Sequence, residues 1–228
     1  MLKEIRVART TVSDLRPVPS GSAKRVETEP ADGFLGGTKL HTPYGHVDVA
    51  DLKPGAQVET FDNGMKEVRK VVQQRVWSNR RTRSLEHWPF LIPQDVLGNT
   101  APIRLLQHQV VLLECDLVEK GIGDPFMLVP LRALEGFQGI SPVQPVEEQI
   151  LYHLVFERPE MVAIAQGAYV LNDYAQSLEI AQGSRTRFGN CKAMSLDKTS
   201  RFLDFLEQGG CDHCEGVACG RHDCKSSQ

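Results

Sequence analysis

Gly33-Phe34-Leu35-Gly36-Gly37-Thr38-Lys39-Leu40-His41-Thr42-Pro43-Tyr44-Gly45, continuing to Val49-Ala50-Asp51-Leu52-Lys53-Pro54-Gly55-Ala56-Gln57-Val58, is the stretch on which the fold turns. Two chain reversals are written into it. In Asp51-Leu52-Lys53-Pro54-Gly55, Pro54 presets φ and Gly55 can take a positive φ, so the chain turns back and Val58 starts a strand. Thr42-Pro43-Tyr44-Gly45 is likewise a turn between two strands.

The same pattern continues outward. Gln57-Val58-Glu59-Thr60-Phe61 alternates with period two, and Asp62-Asn63-Gly64 is a hairpin signal, because Asn-Gly tolerates the positive φ of a type I′ turn. Val68, Val71-Val72 and Val76-Trp77 supply another strand-like run. Gln109 to Leu113, Met127 to Pro130, Tyr152 to Phe156 and Met161 to Ile164 follow, with one helix-like piece at Leu131 to Glu135. Many short strands punctuated by Gly and Pro predict a mostly β domain.

The flanks differ from this domain. Residues 1–32 read as a flexible leader, with Pro17 to Ser22 rich in Pro, Gly and Ser and Lys24 to Asp32 mostly polar. The β domain is expected over 33–175. Residues 176–228 are expected to hold a short amphipathic helix, Met194 to Gln208, ended by Gly209-Gly210, and then a Cys/His-rich tail.

The bulk numbers exclude some functions. At 41% hydrophobic and 24% charged, the 228 residues suit a globular protein. A net charge of −3 gives no reason to expect nucleic acid as a partner, and a protein remains the partner class left open. Arg75 to Arg83 is basic and lies near Trp77 and Trp88, and could meet an anionic partner, but a solvated hairpin loop is the commoner explanation, since the chain as a whole is acidic. No stretch nears the roughly 20 apolar residues that cross a bilayer. Met1 to Val18 has no apolar h-region, so no cleaved secretory signal is expected, which leaves the cytoplasm or export by a non-classical route.

Three segments in order resemble the bacterial Hint-domain family, related to inteins and Hedgehog autoprocessing domains. The opening stretch is similar to the family's first block: a cysteine, Phe, a Gly-Thr pair, Thr-Pro-x-Gly, then Val-x-Asp-Leu-x-Pro-Gly-x-x-Val. Leu97-Gly98-Asn99 with Pro102 to Leu113 is similar to its Gly-Asn turn and Ser-Pro-Gln-His-x-Val-Leu-Leu strand. Tyr152-His153-Leu154 through Glu160 to Gly167 is similar to a late His-Leu strand and Ala-x-Gly turn. The resemblance spans about residues 33–175 and implies a Hint β-fold.

It also implies a chemistry. Family members that process themselves begin with an N–S or N–O acyl shift, in which the first residue's thiol or hydroxyl attacks the preceding carbonyl. A second group protonates the leaving amide nitrogen. His108 matches the histidine that fills the second role. The nucleophile slot is Gly33, which has no side chain, and from Glu27 to Gly37 the only Cys, Ser or Thr is Thr28, out of register. Leu105 and Leu106 stand near where relatives carry Ser or Thr, and Pro159 where many carry His. These departures imply a fold kept without self-cleavage and used as a binding or structural module. The alternative is an autocatalytic domain inactivated, or its precursor trapped, by the substitution at Gly33. In the absence of a nucleophile, His108 reads equally as a retained catalytic group and as a core histidine.

The tail carries Cys211, Cys214, Cys219, His222 and Cys224, with His213 between the first pair. Thiolate and imidazole suit tetrahedral zinc, whereas an oxidising setting would give disulfides; a reduced tail holding nothing is the third reading. No cofactor is expected for the β domain itself. Cys115 and Cys191 stand alone and read as packing residues.

Overall fold

A computed structural model describes residues 33–77, 85–114, 125–145, 147–165 and 167–207. The leader 1–32, most of the basic stretch after Trp77, Cys115 and the Cys/His-rich tail lie outside them.

The elements are short strands in rapid succession. The first six are β1 (Phe34–Leu35), β2 (Lys39–Thr42), β3 (Gly45–Asp48), β4 (Gln57–Thr60), β5 (Gly64–Glu67) and β6 (Lys70–Val76). Then come β7 (Pro89–Ile92), β8 (Ile103–Leu106), β9 (Val110–Glu114), β10 (Phe126–Pro130) and β11 (Ser141–Pro142). β12 (Gln149–Val155), β13 (Met161–Ala163) and β14 (Tyr169–Leu171) precede helix α1 (Tyr174–Gln182). β15 (Arg187–Phe188), β16 (Cys191–Ala193) and helix α2 (Leu196–Glu207) complete the described residues.

Among the described residues the strands form an eight-stranded sheet, β15-β16-β10-β9-β14-β13-β4-β5, two three-stranded sheets, β1-β12-β6 and β11-β7-β8, and the β2-β3 hairpin. The mostly β expectation is met. Strand burial follows position. β9 lies between β10 and β14, with Val110 to Leu113 all buried, so its sequence is a continuous apolar run rather than an alternation. β4 alternates: Val58 and Thr60 are buried while Gln57 is exposed. The main core gathers Phe34, Leu40, Val58, Phe90, Ile92, Val111 and Leu154 from these sheets.

Loops are held by buried polar side chains. Asn99, fully buried, accepts from Leu97 N at 2.9 Å and donates to the carbonyls of Pro93 and Ala101 at 2.8 and 2.9 Å. Asp48 caps the 3-10 turn Val49–Asp51 by accepting from Ala50 N at 2.9 Å, and it also accepts from Gly37 N at 3.2 Å.

The sequence expectations need three refinements. The hairpin at Asp62-Asn63-Gly64 exists, but its loop is Phe61 to Asn63, since Thr60 pairs with Gly64. Gly64 takes φ 63 while Asn63 stays out of the left-handed region, so the turn is not type I′. The Asn63 amide instead donates to Glu160 at 2.7 Å. The helix-like piece is a single 3-10 turn, Leu131–Leu134. And the sheet does not stop at 175: β16 pairs in parallel with β10, and α2 contributes Phe202 and Leu203 to the main core.

Helix α1 was not expected, because only Ser177 and Ile180 of it are buried, too few to make a 3.6-residue apolar period. Its signals are at the ends. Asp173 caps the start by accepting from Gln176 N at 2.8 Å, and Gly183 ends it.

Candidate functional site

The site is built around the start of β1. Phe34 pairs with Tyr152 and Leu35 with Leu151, so Gly33 enters the sheet beside β12. Gly33 has φ 137, a conformation that L side chains rarely adopt. A Cβ on it would stand 2.8 Å from the Tyr152 carbonyl oxygen and 3.0 Å from Leu151 Cγ. The space into which a first-residue side chain would project is therefore occupied by backbone and by a leucine. Around it Leu35, Val76, Trp77, Leu106 and Leu151 form a small apolar cluster. Trp77 is held there at φ 57, with its indole N–H donating to the His87 carbonyl at 3.1 Å.

Gln109 anchors the other side. It is almost fully buried; its amide donates to the Gly33 carbonyl at 2.9 Å and its amide oxygen accepts from Leu106 N at 2.8 Å. One side chain thus ties the β8–β9 turn to the start of β1. His108 sits in that same turn, its Nε2 screened from solvent, and its ring meets Tyr174 edge-on with centroids 5.2 Å apart.

Direct contacts and chain neighbours connect these residues. Gly33 touches Gln109 and Tyr152; Gln109 follows His108; His108 packs on Tyr174; Tyr174 follows Asp173; Asp173 acts electrostatically on His153; His153 follows Tyr152. His108 thus stands next in sequence to the residue that holds the Gly33 carbonyl. The sequence reading missed Gln109, His153, Asp173 and Tyr174. Gln109 carried a signal, a polar residue opening the apolar run Val110 to Leu113. Asp173 carried only that of a helix cap, and Tyr174 carried none, since α1 itself was not foreseen.

The remaining positions differ in their surroundings. Leu105 is in the main core, whereas Leu106 lines the apolar cluster beside Gly33. Pro159 is half-buried in the turn between β12 and β13, next to the buried Glu160. Cys191 is buried in a second apolar cluster with Val110, Leu112 and Ile180, as a packing residue should be. The zinc candidates Cys211, Cys214, Cys219, His222 and Cys224 lie outside the described residues. Of the basic stretch, Arg75 is described and pairs with Glu148 at 3.1 Å.

Burial pushes the His153 imidazole below its ordinary value of 6.5, and the Asp173 carboxylate offsets part of that. Below pH 6.5 the unfolded chain then binds the proton more readily than the folded one, so stability falls as pH drops through that range. Thermal melts from pH 7.5 down to 5 should show a decline in Tm that is shallower in His153→Gln. Equal slopes in the two proteins would mean that His153 contributes nothing to it.

A mostly β module whose first strand opens on a clamped junction, with a half-buried histidine in a later turn, is the class these features define. The Hint domain family model matches residues 32–170, and the chain belongs to the Hint family. Among solved structures, the chain is similar to the splice-inactive, GSH-linked variant of the AceL NrdHF class 3 split intein, with 10% sequence identity and a TM-score of 0.39, over 62% of this chain and 97% of that one. No curated protein matches the sequence. Among the described residues no helix is long and apolar enough to cross a membrane.

Proposed function

We propose that this chain is a Hint-type module that keeps the fold without the self-cleaving step and serves as a binding or structural unit, with a protein as its partner class. The observation that carries this reading is Gly33. An acyl shift needs a thiol or hydroxyl on the first residue, and glycine offers only hydrogen. Its φ of 137 and the Tyr152 carbonyl 2.8 Å from a built Cβ support a position adapted to glycine. Leu106, in the apolar cluster with Leu35 and Leu151, supports the same reading, because its side chain carries no thiol or hydroxyl.

A second reading is favoured by the presence of His108 in the turn beside Gln109: a self-processing domain silenced by the one substitution at Gly33. Intact-mass analysis of the full chain, after prolonged incubation with dithiothreitol or hydroxylamine, tests activity directly. A single uncleaved species is the expected result. A pair of fragments divided between Asp32 and Gly33 would overturn the proposal.

A further inference from the structure

The β2–β3 hairpin carries two histidines placed directly opposite each other, His41 and His46. Their Nε2 atoms are 2.9 Å apart and both side chains are open to solvent. The other ring nitrogen of His41, Nδ1, is 3.2 Å from the Glu59 carboxylate on β4. A carboxylate can only accept, so the proton of neutral His41 sits on Nδ1 and the Nε2 lone pair faces His46. A carboxylate behind a histidine's distal nitrogen is the arrangement that orients metal-binding imidazoles and raises their basicity.

We propose that His41 and His46 form a binding site for a divalent transition-metal ion of the Cu2+ or Ni2+ class, with Glu59 as its positioning residue. Two nitrogens bound at 2.0–2.1 Å to one ion are about 2.9 Å apart when they bind at right angles, and about 3.3 Å apart in a tetrahedral shell. The observed 2.9 Å, a hydrogen bond between the two rings, matches the right-angle separation, so an ion would replace the shared proton with little movement of either nitrogen. Two imidazoles bound in this way would have ring centroids about 4.5 Å apart, and here they are 4.3 Å apart. Right-angle shells with nitrogen and oxygen ligands favour Cu2+ and Ni2+, whereas zinc favours the tetrahedron. Among the described residues no three His, Cys, Asp or Glu side chains gather round one point, so this is a two-imidazole site in which water fills the other positions. The hairpin is preorganised for it: Thr42 donates to the Gly45 carbonyl at 2.7 Å and accepts from Tyr44 N at 3.2 Å, fixing the turn between the two histidines.

The test is a Ni2+ titration of the full-length, isotope-labelled chain under reducing conditions, read residue by residue from amide resonances. Bound Ni2+ is expected to broaden amides of residues 39–42, 44–48 and 57–60. His41→Ala or His46→Ala should abolish that broadening, and Glu59→Gln should weaken the apparent affinity about 10-fold. A melt in chelator checks that each variant is folded. Broadening confined to residues 211–224, or broadening of the hairpin that survives in both histidine variants, would overturn the proposal. So would an unaffected hairpin, which would leave the two rings as an ordinary cross-strand pair.

Discussion

Gly33→Cys should yield a chain that neither cleaves itself nor folds as stably as the parent, with Tm lower by about 10 °C. An L side chain at φ 137 meets a backbone conformation that costs on the order of 1–3 kcal/mol by itself. The new Cβ also meets a backbone carbonyl at 2.8 Å, and neither β1 nor β12 can move away without breaking their pairing. Together these should cost roughly 3 kcal/mol or more, and each kcal/mol lowers Tm by about 2–4 °C in a chain of this size. Gly37→Ala is the matched control. Gly37 also has a positive φ, of 89, but nothing lies within 4 Å of its missing Cβ. Its substitution should cost only the backbone part, about 1 kcal/mol. The two results together separate the backbone cost from the contact with Tyr152. A Gly33→Cys protein that melts like its parent and breaks before residue 33 on adding thiol would instead establish the silenced self-processing domain.

Replacing Gln109 by leucine should be nearly as damaging, although the new side chain is apolar and of similar size. Gln109 makes two buried hydrogen bonds to backbone, from Leu106 N at 2.8 Å and to the Gly33 carbonyl at 2.9 Å. Leucine restores neither. Each buried backbone group deprived of its partner costs about 1–3 kcal/mol, so a loss of about 2–4 kcal/mol and of about 5–15 °C in Tm is expected. Hydrogen exchange gives a local readout. The Leu106 amide should exchange faster in Gln109→Leu than the drop in global stability explains. Exchange at Leu106 that tracks global stability alone would mean that the amide finds another acceptor, and that Gln109 does not fix the β8–β9 turn.

These two residues differ in how far the sequence revealed them. Gly33 stood out because it interrupts an otherwise close match to the family's opening block. Its lack of a side chain was enough to lower the expectation of catalysis. What the sequence did not reveal is that glycine is required there by packing against β12, more than a hundred residues away. Gln109 could be noticed as a polar residue beside an apolar strand, but its two partners come from separate parts of the chain.

The strands were legible because their signals are local. Pro54-Gly55, Pro43-Tyr44-Gly45 and the alternation at Gln57 to Thr60 each act within a few residues, through φ restriction and side-chain period. The turn at Asn63-Gly64 shows where local reasoning stops. Its place was correct, but its loop runs from Phe61 to Asn63, and the Asn63 side-chain amide is held by Glu160, nearly a hundred residues away. The same holds for α1, which lacks an apolar stripe and is placed by its Asp173 cap and its packing on the sheet.

The sequence by itself therefore determined the mostly β fold and the family, and marked Gly33 as a departure from the family's opening block, because turn chemistry, hydrophobic period and residue identity are all readable in order along the chain. Tertiary structure alone decided that Gly33 is closed in by Tyr152 and Leu151, that Gln109 clamps its carbonyl, and that His41 and His46 face each other before Glu59. Each of these depends on strand register, and register is set by the packing of distant segments rather than by any residue's own neighbours.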